Sequence, residues 1–242
     1  MADPLTQFPG FPPSLAGLAE RFGLSGEAVG RLGIFGALLV HDNLAPTTVK
    51  SPALVRDDHL ADALVALEIP EVRDATTIAD LGAGAGVPGI PLAIALPDAR
   101  VALVEGNGRK CEFMTHAIGL VGLENAEVVH SRAETWKEGI GRSDVVTARA
   151  LAPLDVLAEY AAPLLRLGGV LVAWRGKREL EGEGDAVRAA EMLGLEVREP
   201  LQVRPYHGAE HRYLHVMSKV RETPDRFPRR DGMARKRPLG RA

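Results

Sequence analysis

Thr77-Ile78-Ala79-Asp80-Leu81-Gly82-Ala83-Gly84-Ala85-Gly86-Val87-Pro88-Gly89 decides how the rest of the chain is read. Ile78, Ala79 and Leu81 make an apolar run of strand length, and three glycines at two-residue spacing follow at once. Pro88 falls where a helix would open, a position that tolerates proline because the first helical N–H groups have no intrahelical acceptor. Strand, glycine turn and helix together bring backbone N–H groups close to a nucleotide-like ligand. The spacing separates two ligand classes. A dinucleotide fingerprint, G-x-G-x-x-G, would need its third glycine at position 87, which is Val. The G-x-G-x-G form, with Asp80 at the strand end, is more typical of S-adenosylmethionine sites. Asp80, Gly82, Gly84 and Gly86 are therefore candidate cofactor residues.

Working outward, the hydrophobic period changes at Thr76. Before it, apolar residues recur at helical spacing over 14–22, 26–42 and 52–67, which predicts a small helical segment over 14–75. After it, short apolar runs at 78–81, 101–105, 126–130, 144–147 and 170–174 alternate with helix-length stretches. That alternation predicts right-handed crossovers and five parallel strands. The last two runs, 195–203 and 213–220, are joined by too short a link for a crossover and predict an antiparallel hairpin. The expected fold is α/β, a class I S-adenosylmethionine-dependent methyltransferase (Rossmann-like) sheet over 76–221.

Residues 1–13 read as a disordered leader: four prolines and no positive charge exclude a secretion signal. The single cysteine, Cys111, leaves no internal disulfide framework and fits a reducing cytoplasm. The longest apolar stretch, around 78–96, is broken by Asp80, glycines and prolines, so no membrane span is expected. No histidine spacing suggests a metal site. Charge is distributed unevenly: 226–242 carries seven basic residues against one acid, whereas the whole chain is at −3. The basic tail, 222–242, reads either as a solvated terminus or as a contact to nucleic-acid phosphates. Pro228, Gly232 and Pro238 oppose a helix there, so an extended arm ordering on contact is expected.

Chemistry is expected at the C-terminal ends of the strands. Glu105 ends the second strand, where an acid can accept hydrogen bonds from both ribose hydroxyls of an adenosyl group; its alternative is a pair with Arg109 or Lys110. Arg132-Ala133-Glu134 follows the third strand, where such folds border the adenine ring. Arg149 follows the fourth and should face the cleft, binding a methionine carboxylate, a substrate phosphate, or only Glu134 or Asp155. Cys111 reads as core packing. No Asn/Asp-Pro-Pro-aromatic motif follows the fourth strand to hold an exocyclic amine. The inventory suits an acceptor that loses no proton, such as guanine N7, with catalysis by in-line positioning.

The chain resembles the RsmG/GidB family, bacterial 16S rRNA (guanine-N7) methyltransferases acting in the 530 loop. The most specific match is Val87-Pro88-Gly89-Ile90-Pro91-Leu92 after the glycines. Asn43-Leu44, His59-Leu60-Ala61-Asp62, Arg109-Lys110, Ser131-Arg132-Ala133-Glu134, Arg149-Ala150 and the tail from Phe227 to Leu239 support it. The resemblance implies cofactor places at Gly82, Val87, Ala133, Glu134 and Arg149, with Glu105 on the ribose and Arg149 as a positioning residue. It implies RNA or substrate contacts at His59, Asp62, Arg109, Arg175, Arg229, Arg230, Arg235, Lys236 and Arg237. It also implies 16S rRNA or the small ribosomal subunit as partner, no metal, a monomer, and S-adenosylmethionine as cofactor. Two departures stand out: Arg175 where the family often has Lys, and Glu210-His211-Arg212-Tyr213-Leu214 where it has Glu-Arg-His-Leu. Arg keeps the charge of Lys without its compact geometry. Two rival functions are a nicotinamide-dependent oxidoreductase, disfavoured by Val87, and a non-catalytic RNA-binding module stabilised by the cofactor.

Overall fold

A computed structural model describes residue 11 and residues 13–241. The leader expected over 1–13 lies outside the described residues except for Phe11 and Pro13; Phe11 packs on the core, its ring against Gly36. The helical segment holds α1 (Ala16–Phe22) and α2 (Gly26–His41), whose N-cap Ser25 accepts the Ala28 N–H at 3.1 Å. The single helix expected over 52–67 is instead a broken run. It comprises α3 (Pro52–Leu54), a π-helical turn Val55–Ala61, α4 (Asp62–Leu64) and a 3-10 turn Val65–Glu68, with α5 (Pro70–Arg73) beyond. Periodicity does not reveal such a turn, and Asp58, His59 and Asp62 in and beside it are held by Tyr206 and Arg149, far along the chain.

The sheet contains β1 (Thr77–Leu81), β2 (Arg100–Glu105), β3 (Ala126–His130), β4 (Ser143–Arg149), β5 (Leu165–Arg175), β6 (Leu195–Val197), β7 (Leu201–Gln202) and β8 (Tyr213–Lys219). Its order is β3-β2-β1-β4-β5-β8-β6, with β7 also on β8. The first five strands are parallel, and β8 enters antiparallel between β5 and β6. The expected run 195–203 is split in two around Arg198-Glu199-Pro200, since Pro200 has no N–H for the ladder.

The central strands are mostly apolar because both faces are covered. Ile78, Val101, Leu103, Val145 and Val172 meet α2, α6 (Gly89–Ala95) and α7 (Gly108–Val121) on one face. Ala79, Leu81, Val104, Val146 and Leu171 meet α8 (Leu154–Ala161) and α9 (Leu180–Leu193) on the other. Among the described residues no helix is long and apolar enough to cross a membrane, and no acidic, His or Cys grouping could hold a metal.

The segment after β8 is not an extended arm. It folds back onto α8, buries Phe227, and forms α10 (Met233–Lys236) despite Pro228, Gly232 and Pro238. Arg229 pairs with Glu159 and Arg241 with Asp155, both carboxylates lying on α8.

Candidate functional site

The C-terminal ends of β1 to β4 open on a cavity of about 590 Å³, a size suited to a small ligand. Its wall takes Gly82 from the turn after β1, Glu105 from the end of β2, Ala133 and Glu134 from the loop after β3, and Leu151 from the loop after β4. Each belongs to the edge where open α/β sheets bind ligands.

Gly82, Gly84 and Gly86 take left-handed backbone, with φ of 64°, 60° and 81°. A Cβ at Gly82 would meet Leu151 at 2.6 Å, and one at Gly86 would meet Ile90 at 2.4 Å. At Gly84 the nearest atom is the Gly82 carbonyl oxygen, 3.6 Å away. The outer two glycines are thus demanded by the protein's own packing, while the middle one leaves room beside Glu105.

Glu105 is buried, and its two oxygens accept the Gly84 N–H at 3.1 Å and the Asn107 N–H at 2.9 Å. Each carboxylate oxygen carries a second lone pair, so both can still receive a ligand hydroxyl. Lys110, the alternative partner, stands 3.9 Å away and Arg109 makes no ion pair among the described residues. An open glycine turn, a fixed carboxylate and a cavity at the strand ends fit an adenosyl group.

Asp80 is tied within the fold. It shares a face with Ile78, and its oxygens accept the Gly89 N–H at 2.9 Å and the Thr147 hydroxyl at 2.9 Å. Burial raises its carboxyl to about 7 against those hydrogen bonds. The side chain ties β1 to β4 and to the start of α6, and so holds the turn from behind. Val87 is likewise buried in the core, and Pro88 is the residue before α6 rather than its first turn.

Arg149 pairs with neither Glu134 nor Asp155. It donates to Asp62 Oδ2 at 2.9 Å and to the Asp58 carbonyl at 2.6 Å, with a third contact of 3.2 Å to His59 Nδ1. His59 Nε2 lies 2.9 Å from the Thr47 hydroxyl. Burial, with Arg149 adding, lowers the His59 ring to about 4, so the imidazole is neutral near pH 7. Asp62 is buried and burial raises its carboxyl, opposed by Arg149; its Oδ1 has no hydrogen bond, with Arg212 Nε 3.4 Å away. Tyr206 donates its hydroxyl to Asp58. The structure therefore joins His59, Asp62 and Arg149 in one cluster, and adds Asp58, Tyr206 and Arg212. Arg212 belongs to the Glu210–Leu214 stretch that departs from the family pattern, whereas no sequence signal marked Asp58.

A second cavity of about 490 Å³ adjoins the first, sharing Ala150 and Leu151, with Arg175, Lys177, Arg178 and His215 on its other walls. Ala150, with φ of 53°, is the non-glycine residue in left-handed conformation among those described. Arg175 donates to the Ala152 carbonyl. In the C-terminal segment, Arg229 is paired with Glu159, and Arg235 donates to the Leu151 carbonyl without an ion pair among the described residues. Arg230, Lys236 and Arg237 make no ion pair among the described residues, and Lys236 and Arg237 are exposed. Tyr160 on α8, which no sequence signal marked, and Gly232 of the tail also line the first cavity.

Comparison with known proteins bears on this geometry. The family model for GidB, rRNA small subunit methyltransferase G, matches residues 39–208. The chain belongs to the GidB family. Ribosomal RNA small subunit methyltransferase G of Rubrobacter xylanophilus is 44% identical over 200 residues, covering 78% of this chain and 75% of that protein. Its counterpart in Chloroflexus aggregans is 39% identical over 207 residues, covering 84% and 85%. Among solved structures, a SAM dependent methyltransferase from Aquifex aeolicus aligns with a TM-score of 0.56 at 17% identity, over 70% of this chain and 94% of that one. Fibrillarin from Aeropyrum pernix aligns at 0.53 and 17% identity, over 65% and 72%. These structures share the fold, which is the class I methyltransferase sheet expected from the sequence. As a GidB member the chain is a methyltransferase that uses S-adenosylmethionine.

Proposed function

We propose that this GidB protein transfers a methyl group from S-adenosylmethionine to N7 of a guanine in the 530 loop of 16S rRNA, acting as a cytoplasmic monomer on the small subunit or its RNA. The observation that carries the reading is the cavity at the strand ends, with Glu105 fixed beside the open Gly84 turn in a chain of this family. In this reading Glu105 holds the ribose, Gly82 and Gly84 admit the ligand, and Ala133 with Glu134 border the adenine. The bound cofactor supplies an electrophilic methyl group on a sulfonium.

The cavity's neighbourhood suits an acceptor with a free lone pair. His59, lowered to about 4 and engaged by Thr47 and Arg149, is a weak base at neutral pH. Guanine N7 forms its bond to the methyl carbon as the carbon–sulfur bond breaks, and no proton need leave. The chain's contribution is then placement. Arg149, its guanidinium oriented by Asp62, is the positioning residue, and the adjoining cavity with Arg175 and Lys177 on its wall is where the guanine nucleotide enters. Arg230, Lys236 and Arg237 contact the RNA backbone, with Arg109 as a further cation on α7.

Small subunits lacking the modification, incubated with the protein and labelled S-adenosylmethionine, test this. Borohydride–aniline cleavage at one guanine of the 530 loop is expected. Label at a different base, or none with the cofactor still bound, would contradict the substrate.

A further inference from the structure

The C-terminal segment does more than present cations. Asp231 accepts Arg132 Nη1 at 2.9 and 3.2 Å, the Gly232 N–H donates to Glu134 Oε1 at 3.3 Å, and Arg235 Nη2 donates to the Leu151 carbonyl at 2.9 Å. Arg132 and Glu134 belong to the loop after β3, Leu151 to the loop after β4. The segment therefore spans the two loops that wall the cavity, and Gly232 and Arg235 form part of its lining.

This position is fixed by contacts elsewhere. Phe227 and Ala234 are buried. Arg229 reaches Glu159 at 2.7 and 2.5 Å, and Arg241 reaches Asp155 at 2.8 Å. Glu159 is 1% exposed and Asp155 2%, and among the described residues their ionic partners come from this segment alone. A buried carboxylate stripped of its partner is costly, so the segment is held on α8 whether or not the cavity is filled. By contrast, its contacts with the cavity loops are a few polar bonds at partly exposed positions, which can open without releasing the anchors.

We infer that residues 226–241 are a strap completing the cofactor site, with Gly232 and Arg235 as cofactor-site residues that must part from Glu134 and Leu151 for the ligand to enter or leave. The inference rests on the reading that this cavity takes S-adenosylmethionine. It revises the role of Arg235 suggested by sequence, from RNA contact to cofactor retention.

The test compares the full chain with Asp231→Ala/Arg235→Ala, which keeps the Arg229 and Arg241 anchors. Binding and dissociation of labelled S-adenosylmethionine are measured, together with amide exchange over 231–236. Removal of about one or two hydrogen bonds predicts affinity weaker by about tenfold or more, chiefly through faster dissociation. The parent should show cofactor-dependent protection of the Gly232 amide. Arg100→Ala, which removes an exposed charge at the start of β2, at the opposite end of the sheet from the cavity, should bind like the parent. Equal affinity and dissociation rate in parent and double variant, without protection over 231–236, overturns the strap alone. Equal weakening by Arg100→Ala also overturns it, since net charge would then be the cause. A parent that binds no S-adenosylmethionine overturns the cofactor reading and the strap together.

Discussion

Gly84 is the residue at which the protein's needs and a ligand's are easiest to separate. A side chain at Gly82 or Gly86 would collide with Leu151 or Ile90, so substitution there damages the turn itself. At Gly84 the space is open, and aspartate tolerates left-handed backbone better than most residues. Gly84→Asp is expected to fold with a melting temperature close to the parent's, yet to abolish S-adenosylmethionine binding by placing a second carboxylate beside Glu105. Calorimetry and a thermal melt on one preparation check both halves, and unchanged affinity would contradict the site. The same scale shows where sequence reading stops. Asp80, at the end of the first apolar run, reads as a ligand residue; its period-two partnership with Ile78 places it between β4 and α6, where the Thr147 hydroxyl and the Gly89 N–H each bond one oxygen. Arg149 does stand at the strand end, but its partners Asp58 and Asp62 lie 91 and 87 residues away along the chain. No local pattern encodes that pairing.

The elements make stability predictions of their own. Asp144 joins the start of β1 to β4: it accepts the Thr76 N–H and hydroxyl at 2.8 and 2.7 Å, the Thr77 N–H at 3.0 Å, and Arg166. Burial works to raise its carboxyl, but the bonds from Thr76 and Arg166 and the backbone amides outweigh it and hold it at about 2. Because the folded value lies below the unfolded one, the contribution is complete above about pH 4 and disappears as pH falls toward 2. Asp144→Asn should therefore cost about 2 kcal/mol at pH 7. Urea melts of parent and variant should converge as the pH falls below 4; parallel curves would contradict the linkage.

On α8, Arg229→Ala would leave Glu159 charged and buried, an expected destabilisation of about 3 kcal/mol. Adding Glu159→Gln should restore a good part of it, as a double-mutant cycle would show. The parallel strands were legible because cover on both faces fills the central ones with apolar side chains, and even the edge strand β3 keeps Val128 and Val129 against the core. The π turn and the C-terminal strap were not, because both depend on ion pairs and hydrogen bonds formed across the fold.

At the scale of the whole molecule, an acidic body carries a basic strap whose inner cations are tied down and whose outer ones make no ion pair among the described residues. Deleting 226–242 is expected to do two things, weaken RNA binding and disturb the cofactor cavity, so point changes are more informative. Replacing Arg230, Lys236 and Arg237 by Gln should reduce the salt dependence of RNA binding, by a slope of about 0.7 for each single-stranded phosphate no longer neutralised. An unaltered slope would confine the strap to its cofactor role.

The central claim is that the cavity bounded by the glycine turn and Glu105 holds S-adenosylmethionine. Its most direct test is a calorimetric titration of the full chain with S-adenosylmethionine and with NAD, repeated on Glu105→Ala. Binding of S-adenosylmethionine alone is expected, weakened about tenfold to a hundredfold when the ribose acceptor is removed. Binding of NAD in its place, or an affinity indifferent to Glu105, would contradict the claim.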